Sequence, residues 1–272
     1  MNWRAVARKD FLDAVRSRTL WALVALFVLL LLGIAYVAQL GGERDVIQFI
    51  EFTTLAFALF VPLVAIVLGY KSVVDERESG TIALALSFPH TRLDFVLGKF
   101  AGRSLVLAIP VLVGMVVASV LVVFLYESLP VGRYLLFTVL NVLLGLAFLA
   151  IALGLSMSTP SSRRVTAGAF GAYIVLATLW SDLVDAIMLI LWRFDASIVV
   201  NPPDWLLFVQ MASPAEAYYR LVIALFDFGV EAAYTAPDAP WFVDSWVAVL
   251  VLAGWVALPL ALGYLRFARA DL

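Results

Sequence analysis

Long apolar runs recur along almost the whole chain, and the first of them carries no charged side chain from residue 19 to residue 40. A helix of about 20 apolar residues crosses a hydrocarbon core of roughly 30 Å. Because 64% of the 272 residues are hydrophobic and only 14% are charged, a soluble domain could not bury all the runs. The sequence therefore predicts an all-α integral membrane protein, a single transmembrane domain over residues 1–272, with six spans at approximately 19–40, 52–70, 104–126, 134–157, 165–180 and 243–265.

Two further segments accompany the predicted spans. The N-terminal segment is typical of an amphipathic helix lying in the cytoplasmic membrane interface, with an apolar stripe of Trp3, Val6, Ala7, Phe11, Ala14 and Val15. Residues 181–242 are rich in proline, and their apolar pieces are too short to cross a membrane. We expect short interfacial or re-entrant helices in this extracytoplasmic region. Asp182 and Asp185 lie at the start of this region, and because they are charged the fifth span is predicted to stop near Trp180.

Basic residues set the predicted orientation. With these spans, fourteen of the 18 Lys and Arg residues fall on one side and four on the other, and the richer side is cytoplasmic by the positive-inside rule. The prediction is a multi-pass protein of the cell membrane with both termini in the cytoplasm. Thirteen of the 20 acidic residues lie on the outer side. A halophilic source would explain that excess, because charges stay hydrated and screened in high salt; a surface that attracts cations or a basic partner is the alternative.

The loop between the second and third spans, residues 71–103, is charged and yet punctuated like structured chain. Gly80 can end one helix in a left-handed conformation, and Pro89 stops the short apolar helix that follows. Thr91 then opens another helix, with Asp94 three residues on in a capping-box arrangement. A short helix with an exposed apolar face at the aqueous edge of a membrane protein is typical of a docking element. A loop that rests on the lipid headgroups is the alternative.

The loop contains, in order, Glu76-Arg77-Glu78-Ser79-Gly80-Thr81, a small apolar helix, Pro89, a polar turn and Leu97-Gly98-Lys99. This order resembles the first cytoplasmic loop of the type-2 ABC transporter permeases, and most of all the branch that includes the permease of the nitrous-oxide-reductase maturation system. Where that family often has an acid two residues after the Gly-Thr pair, this chain has Ala83. The resemblance implies a coupling helix that docks into a separate ATPase, with docking and coupling residues Glu76, Arg77, Glu78, Gly80, Thr81, Ile82, Leu84, Leu86 and Pro89.

A second motif, Ser213-Pro214-Ala215-Glu216-Ala217-Tyr218, resembles a proline-centred motif before the last span in the same branch. The resemblance implies a permease subunit that works as a homodimer with an ABC ATPase, which binds the ATP and Mg²⁺. We expect ATP hydrolysis in that partner to drive either substrate export or force transmission to an extracytoplasmic partner protein.

Motifs for chemistry in the chain itself are missing. Gly98-Lys99 lacks the upstream glycine and the following Ser or Thr of a P-loop, there is no cysteine, and His90 is the single histidine. We therefore expect no enzyme activity, no ATPase activity in the isolated chain, no cofactor and no nucleic-acid partner. An intramembrane enzyme or a stand-alone secondary carrier or channel is the alternative. Both are disfavoured because the spans hold almost no ionisable residues, which mark catalytic and ion-relay sites in membranes.

Polar and small side chains within the spans are expected to serve helix packing. The polar ones are predicted to hydrogen-bond between helices: Ser119, Thr138, Asn141, Ser156 and Thr178. The small ones are predicted to permit close approach of helices: Gly145, Gly154, Gly168 and Gly171.

Overall fold

The computed structural model describes residues 3–40, 45–80, 91–126, 128–195, 197–200, 202–228, 233–236 and 238–269, and all regular secondary structure in these ranges is helical. The α-helices are α1 (Trp3–Val15), α2 (Arg18–Gln39), α3 (Val46–Gly69), α4 (Val74–Glu78), α5 (Arg92–Leu125), α6 (Val131–Ser158), α7 (Ser162–Tyr173), α8 (Trp180–Leu191), α9 (Ser197–Val200), α10 (Asp204–Met211), α11 (Pro214–Phe226) and α12 (Ser245–Ala268). A π-helical turn, Ile174–Thr178, follows α7, and two 3₁₀ turns, Ala233–Thr235 and Trp241–Val243, precede α12.

Five helices are long and apolar enough to cross a membrane, and a sixth span is formed if a bent pair is counted as one. The five are α2, α3, α5, α6 and α12. The pair consists of Ser162–Thr178 and Trp180–Leu191, which meet at an angle of 77°. The break lies beside Trp180, where the fifth span was predicted to stop. The predicted all-helical membrane fold is confirmed, and the described residues contain five or six candidate spans where the sequence predicted six.

Helix α6 lies at the centre of the bundle. Of its most apolar stretch, 67% is buried within the chain, against 22% for α2 and for α12. Helices α6 and α12 touch backbone to backbone: a Cβ on Gly154 would lie 2.4 Å from the carbonyl oxygen of Pro259, and one on Gly263 would lie 2.6 Å from the Cα of Gly154. Close packing through small residues, which the sequence predicted for Gly154, is confirmed, whereas Gly171 has no neighbour within reach.

Helix α1 lies along the first turns of α5. A Cβ on Gly98 would come within 2.5 Å of the Val6 Cβ, and one on Gly102 within 2.9 Å of the Asp10 Cβ. Two glycines four residues apart thus open a groove that accepts α1 at short range. Part of the predicted apolar stripe therefore packs on protein, and the most buried residues of α1 are Ala7 and Asp10.

The bundle has two distinct ends. We call the end that carries α1, α4, the start of α5 and the C-termini of α6 and α12 the loop end, and the other, with α8 to α11, the far end. At the far end, the fully buried Tyr218 of α11 donates a hydrogen bond to Asn141 Oδ1 at 2.8 Å. Asn141 lies about ten residues, or roughly 15 Å, inside α6. Helix α11 is therefore inserted between the spans and does not rest on their ends.

Candidate functional site

The candidate site is the base of the loop predicted to dock, and its first part is α4. Tyr70 to Val73 make the turn that joins α3 to α4. The backbone N–H groups of Val73 and Val74 donate to Ser156 Oγ at 3.1 and 3.0 Å. Ser156 is a fully buried side chain of α6. The amides at a helix start have no partner within the helix, so Ser156 both satisfies them and fixes α4 to α6. The predicted interhelical role of Ser156 is confirmed.

Both borders of residues 81–90 have the backbone geometry that the sequence predicted. Gly80 follows α4 with a left-handed φ of 72°, which a side chain would strain. Thr91 caps α5: its Oγ1 accepts from Asp94 N at 3.1 Å, and Asp94 Oδ2 accepts from Thr91 N at 3.3 Å. This reciprocal capping box is confirmed. The docking residues Thr81, Ile82, Leu84, Leu86 and Pro89, together with His90, lie outside the described residues.

Glu78 binds the start of α7. Its Oε1 accepts from the Ser162 backbone N–H at 2.8 Å, and its Oε2 accepts from the Ser162 hydroxyl at 2.9 Å. These two bonds hold the pKa of Glu78, which lies beyond the apolar part of the span, below its ordinary value. An ionised carboxylate at a helix N-terminus is favourable, because the helix dipole is positive there. The contact joins the end of α4 to α7.

Arg77 and Arg92 both reach the last turn of α12. Arg92 Nη1 donates to the carbonyl oxygens of Phe267 at 2.7 Å and of Ala268 at 3.0 Å. Arg77 Nη1 donates to Met157 O, in the last turn of α6, at 3.3 Å. The guanidinium carbon of each arginine lies 5.7 Å from the centroid of the Phe267 ring. Residues on either side of positions 81–90 thus meet on the last span.

A buried ion cluster joins α1, α4 and α5. Lys99 Nζ lies 3.2 Å from Asp10 Oδ1 and 2.5 Å from Glu76 Oε1, and Arg103 Nε lies 2.9 Å from Asp10 Oδ2 without the alignment of a hydrogen bond. The side chains of Lys99 and Asp10 are only 9% and 5% exposed. Buried charges are costly unless they are paired, and here each carboxylate faces a cation. The cluster therefore constrains how the three helices meet.

This cluster borders a cavity of about 710 Å³. The cavity has charged walls, which include Lys9 and Asp13, and apolar walls that α2 and α3 supply through Leu20, Val67 and Leu68. Within the described ranges, no three His, Cys, Asp or Glu side chains gather as metal ligands would.

The three charged residues predicted for docking each bind a different helix of their own chain. Glu76 pairs with α5, Arg77 contacts α6 and α12, and Glu78 binds α7. The sequence predicted these positions from their order in the loop, and it did not predict their intramolecular partners. Helix α4 therefore lies where α5, α6, α7 and α12 come together at the loop end.

The sequence prediction did not include several residues of the site, among them Asp10, Arg92, Arg103, Ser162 and Phe267. A signal for Asp10 was present, because it falls on the same helical face as Val6, Ala7 and Phe11. Phe267 gave no signal, because Arg92, which contacts it, lies 175 residues away.

At the far end, Glu216 binds the fifth span and the segment before the last. It accepts from the Ser181 hydroxyl at 2.5 Å and from the Tyr234 hydroxyl. Burial, and then the neighbouring Glu216 carboxylate, raise the pKa of Tyr234 well above its ordinary value, so the phenol stays protonated and donates. Glu216 belongs to the proline-centred motif found in the sequence, and Ser213 of that motif caps α11. The motif thus anchors α11 at the far end.

The chain matches known proteins over almost its whole length. A family model described as "ABC-2 family transporter protein" matches residues 4–272. The chain is 31% identical over 276 residues to the "Probable ABC transporter permease protein NosY" of Stutzerimonas stutzeri, and the match covers 97% of each chain. It is 32% identical over 275 residues to the protein of the same name from Pseudomonas aeruginosa, again over 97% of each. The chain, a multi-pass membrane protein, therefore belongs to the ABC-2 transporter family.

Proposed function

We propose that this permease is driven by a separate ATPase subunit, which binds ATP and Mg²⁺ and docks on the loop of residues 71–103. The observation that carries the proposal is the attachment of both borders of residues 81–90. Before that segment, α4 is bound to α5, α6 and α7; after it, Arg92 is bound to α12. A force applied to the loop would therefore act on four helices at once. A loop that only rested on lipid headgroups would have no need of these attachments.

The loop end is the cytoplasmic end in this proposal, and the far end faces outward. Helices α2 and α12 each leave most of their apolar surface outside the chain, which is room for lipid and for a second copy of the permease. We propose a homodimer on this basis. ATP hydrolysis then drives either export of a substrate or force transmission to an extracytoplasmic partner protein, for which the α8–α11 segment is the contact surface.

Leu84→Asp tests the docking loop. Burial of one leucine in a partner contributes about 1.5–3 kcal/mol, so we expect at least tenfold weaker capture of the proposed ATPase partner. Glu78→Gln is the matched control. Its parent carboxylate is bound to Ser162 of the same chain, and capture of the ATPase should change little. The measurement is pull-down of the ATPase by each purified variant. If Leu84→Asp captures the ATPase as well as the unmodified chain does, the loop is a headgroup-resting helix and the docking assignment is wrong.

A further inference from the structure

Phe267, in the last turn of α12, is enclosed by side chains from the two borders of residues 81–90. Its ring is fully buried. Arg77 and Arg92 both approach the ring, and Phe95 of α5 stacks on it with a centroid distance of 6.0 Å and an interplanar angle of 24°. A guanidinium within about 6 Å of an aromatic centroid is attracted by the ring quadrupole.

Two arginines on one ring repel each other, and burial together with the nearby charge of Arg92 lowers the pKa of Arg77. The carbonyl oxygens that they bind offset this repulsion. Those oxygens belong to the last turns of α6 and α12, where the helix dipole is negative and a cation is favoured. The arrangement therefore holds two like charges together because two helix ends meet there.

The helix that carries Phe267 has little freedom relative to its neighbours. Gly263 of α12 is in backbone contact with Gly154 of α6 one turn from Phe267. Helix α6 in turn binds α11 at the far end through Asn141 and Tyr218. A displacement imposed on the last turn of α12 is thus passed to α6 through the Gly154 contact, and along α12 toward the far end.

We propose that Arg77, Arg92 and Phe267 form an arginine clamp that transmits movement of the docking loop to α12. The proposal rests on the proposed function, and it assigns transmission, as distinct from ATPase binding, to these three residues. Arg77 and Arg92 are positioning residues: they act on α12 through the Phe267 ring and the last carbonyl groups.

The test is ATP-dependent movement of the far end of α12 in the complex with the ATPase. The chain has no cysteine, so Ser245→Cys places a single thiol at the far end of α12. Labelling of this thiol by a maleimide is measured with and without ATP. Phe267→Leu in the same background removes the ring but keeps an apolar side chain. We expect ATPase capture to be retained, and the ATP-dependent change in labelling rate to fall about fivefold or more.

Rescue and control variants separate transmission from simple folding. Phe267→Tyr retains a ring and should restore the labelling change, and Arg266→Gln, an exposed arginine in the same turn, should leave it intact. The double variant Arg77→Gln with Arg92→Gln should behave like Phe267→Leu. Adding Phe267→Leu to that double variant should not reduce the ATP-dependent change in labelling further, because the effects of residues that act through one contact are not additive. If Phe267→Leu does not fold, the arginine double variant decides.

Three outcomes would overturn the clamp. The first is a normal labelling change in Phe267→Leu or in the arginine double variant. The second is loss of ATPase capture in the arginine double variant, which would make these residues part of the docking surface. The third is labelling that does not respond to ATP in the complex that carries Ser245→Cys as its single substitution. A chain that captures no ATPase at all contradicts the proposed function itself, which keeps the two failures distinguishable.

Discussion

Asp10 attaches α1 to α5 through buried charges. It lies on the buried face of α1, 3.2 Å from Lys99 Nζ and 2.9 Å from Arg103 Nε. Glu76 also pairs with Lys99, so Asp10 links the N-terminal helix to the base of the docking loop. A carboxylate on the apolar stripe of a helix is costly by itself, and its presence indicates a specific partner surface.

We predict that Asp10→Ala destabilises the protein. Lys99 keeps Glu76, so the loss should be that of one buried hydrogen bond to a charged group, about 1.5–3 kcal/mol. The control is Asp13→Ala, an exposed acidic residue one turn further along the same helix, for which the change should stay within about 0.5 kcal/mol. The measurement is the thermal unfolding of the purified variants in detergent. Equal shifts in the two variants would mean that the cluster does not hold α1.

Polar side chains inside the spans show how far prediction reaches for single residues. Ser156 and Asn141 bond to other parts of the fold, as the sequence predicted. Ser119, Thr138 and Thr178 donate instead to carbonyl groups of the preceding turn of their own helix. Both arrangements give a polar side chain a hydrogen-bond partner in an apolar setting, and the residue type alone does not predict which one forms. The outcome depends on whether a neighbouring helix has a polar group at the same depth in the bundle.

The crossing of α6 and α12 is the tightest helix contact described above. A Cβ on Gly154 would lie 2.4 Å from a backbone oxygen of α12, so relief requires the two helices to separate. Such a separation would loosen the packing contacts along the whole crossing, because protein interiors are closely packed.

We predict that Gly154→Ala lowers the unfolding free energy by at least about 1–3 kcal/mol, the usual cost of overpacking. Gly254→Ala on α12 is the control: its Cβ would meet nothing within 4 Å, and alanine is the better helix former, so stability should hold or rise slightly. Thermal unfolding and the fraction of monodisperse protein are measured for both. The backbone contact is refuted if Gly154→Ala is as stable as Gly254→Ala.

Helix ends were easier to predict than helix contacts. The capping box of Thr91 and Asp94, the left-handed Gly80 and the break beside Trp180 all follow from local chemistry, and all are present. The docking of α1 on α5 was not predicted, and neither was the depth of α11. In long helices such as α5 and α6, which are apolar on most sides, hydrophobic periodicity does not say which face meets α1 or α11. The Gly98 and Gly102 pair became informative only when Val6 and Asp10 were seen above it.

The two ends of the bundle differ in the number of basic residues that they carry. Fourteen of the 18 basic residues lie at the loop end or in the segments that lead into it. Several of them are held by their own chain, among them Arg77, Arg92, Lys99 and Arg103. The positive-inside rule depends on Lys and Arg near the ends of spans during insertion, so later pairing does not weaken the argument. The loop end is predicted to face the cytoplasm.

Single cysteines test this orientation, because the chain has none of its own. Ser79, after α4, and Ser197, at the start of α9, are both exposed and lie at opposite ends of the bundle. A membrane-impermeant maleimide added to intact cells should label Ser197→Cys and leave Ser79→Cys unlabelled, because the reagent does not cross the bilayer. After permeabilisation both variants should label, which shows that both thiols are reactive. Labelling of Ser79→Cys in intact cells would contradict a cytoplasmic docking loop and remove the ATPase from its reach, and protection of Ser197→Cys there would contradict an outward-facing far end.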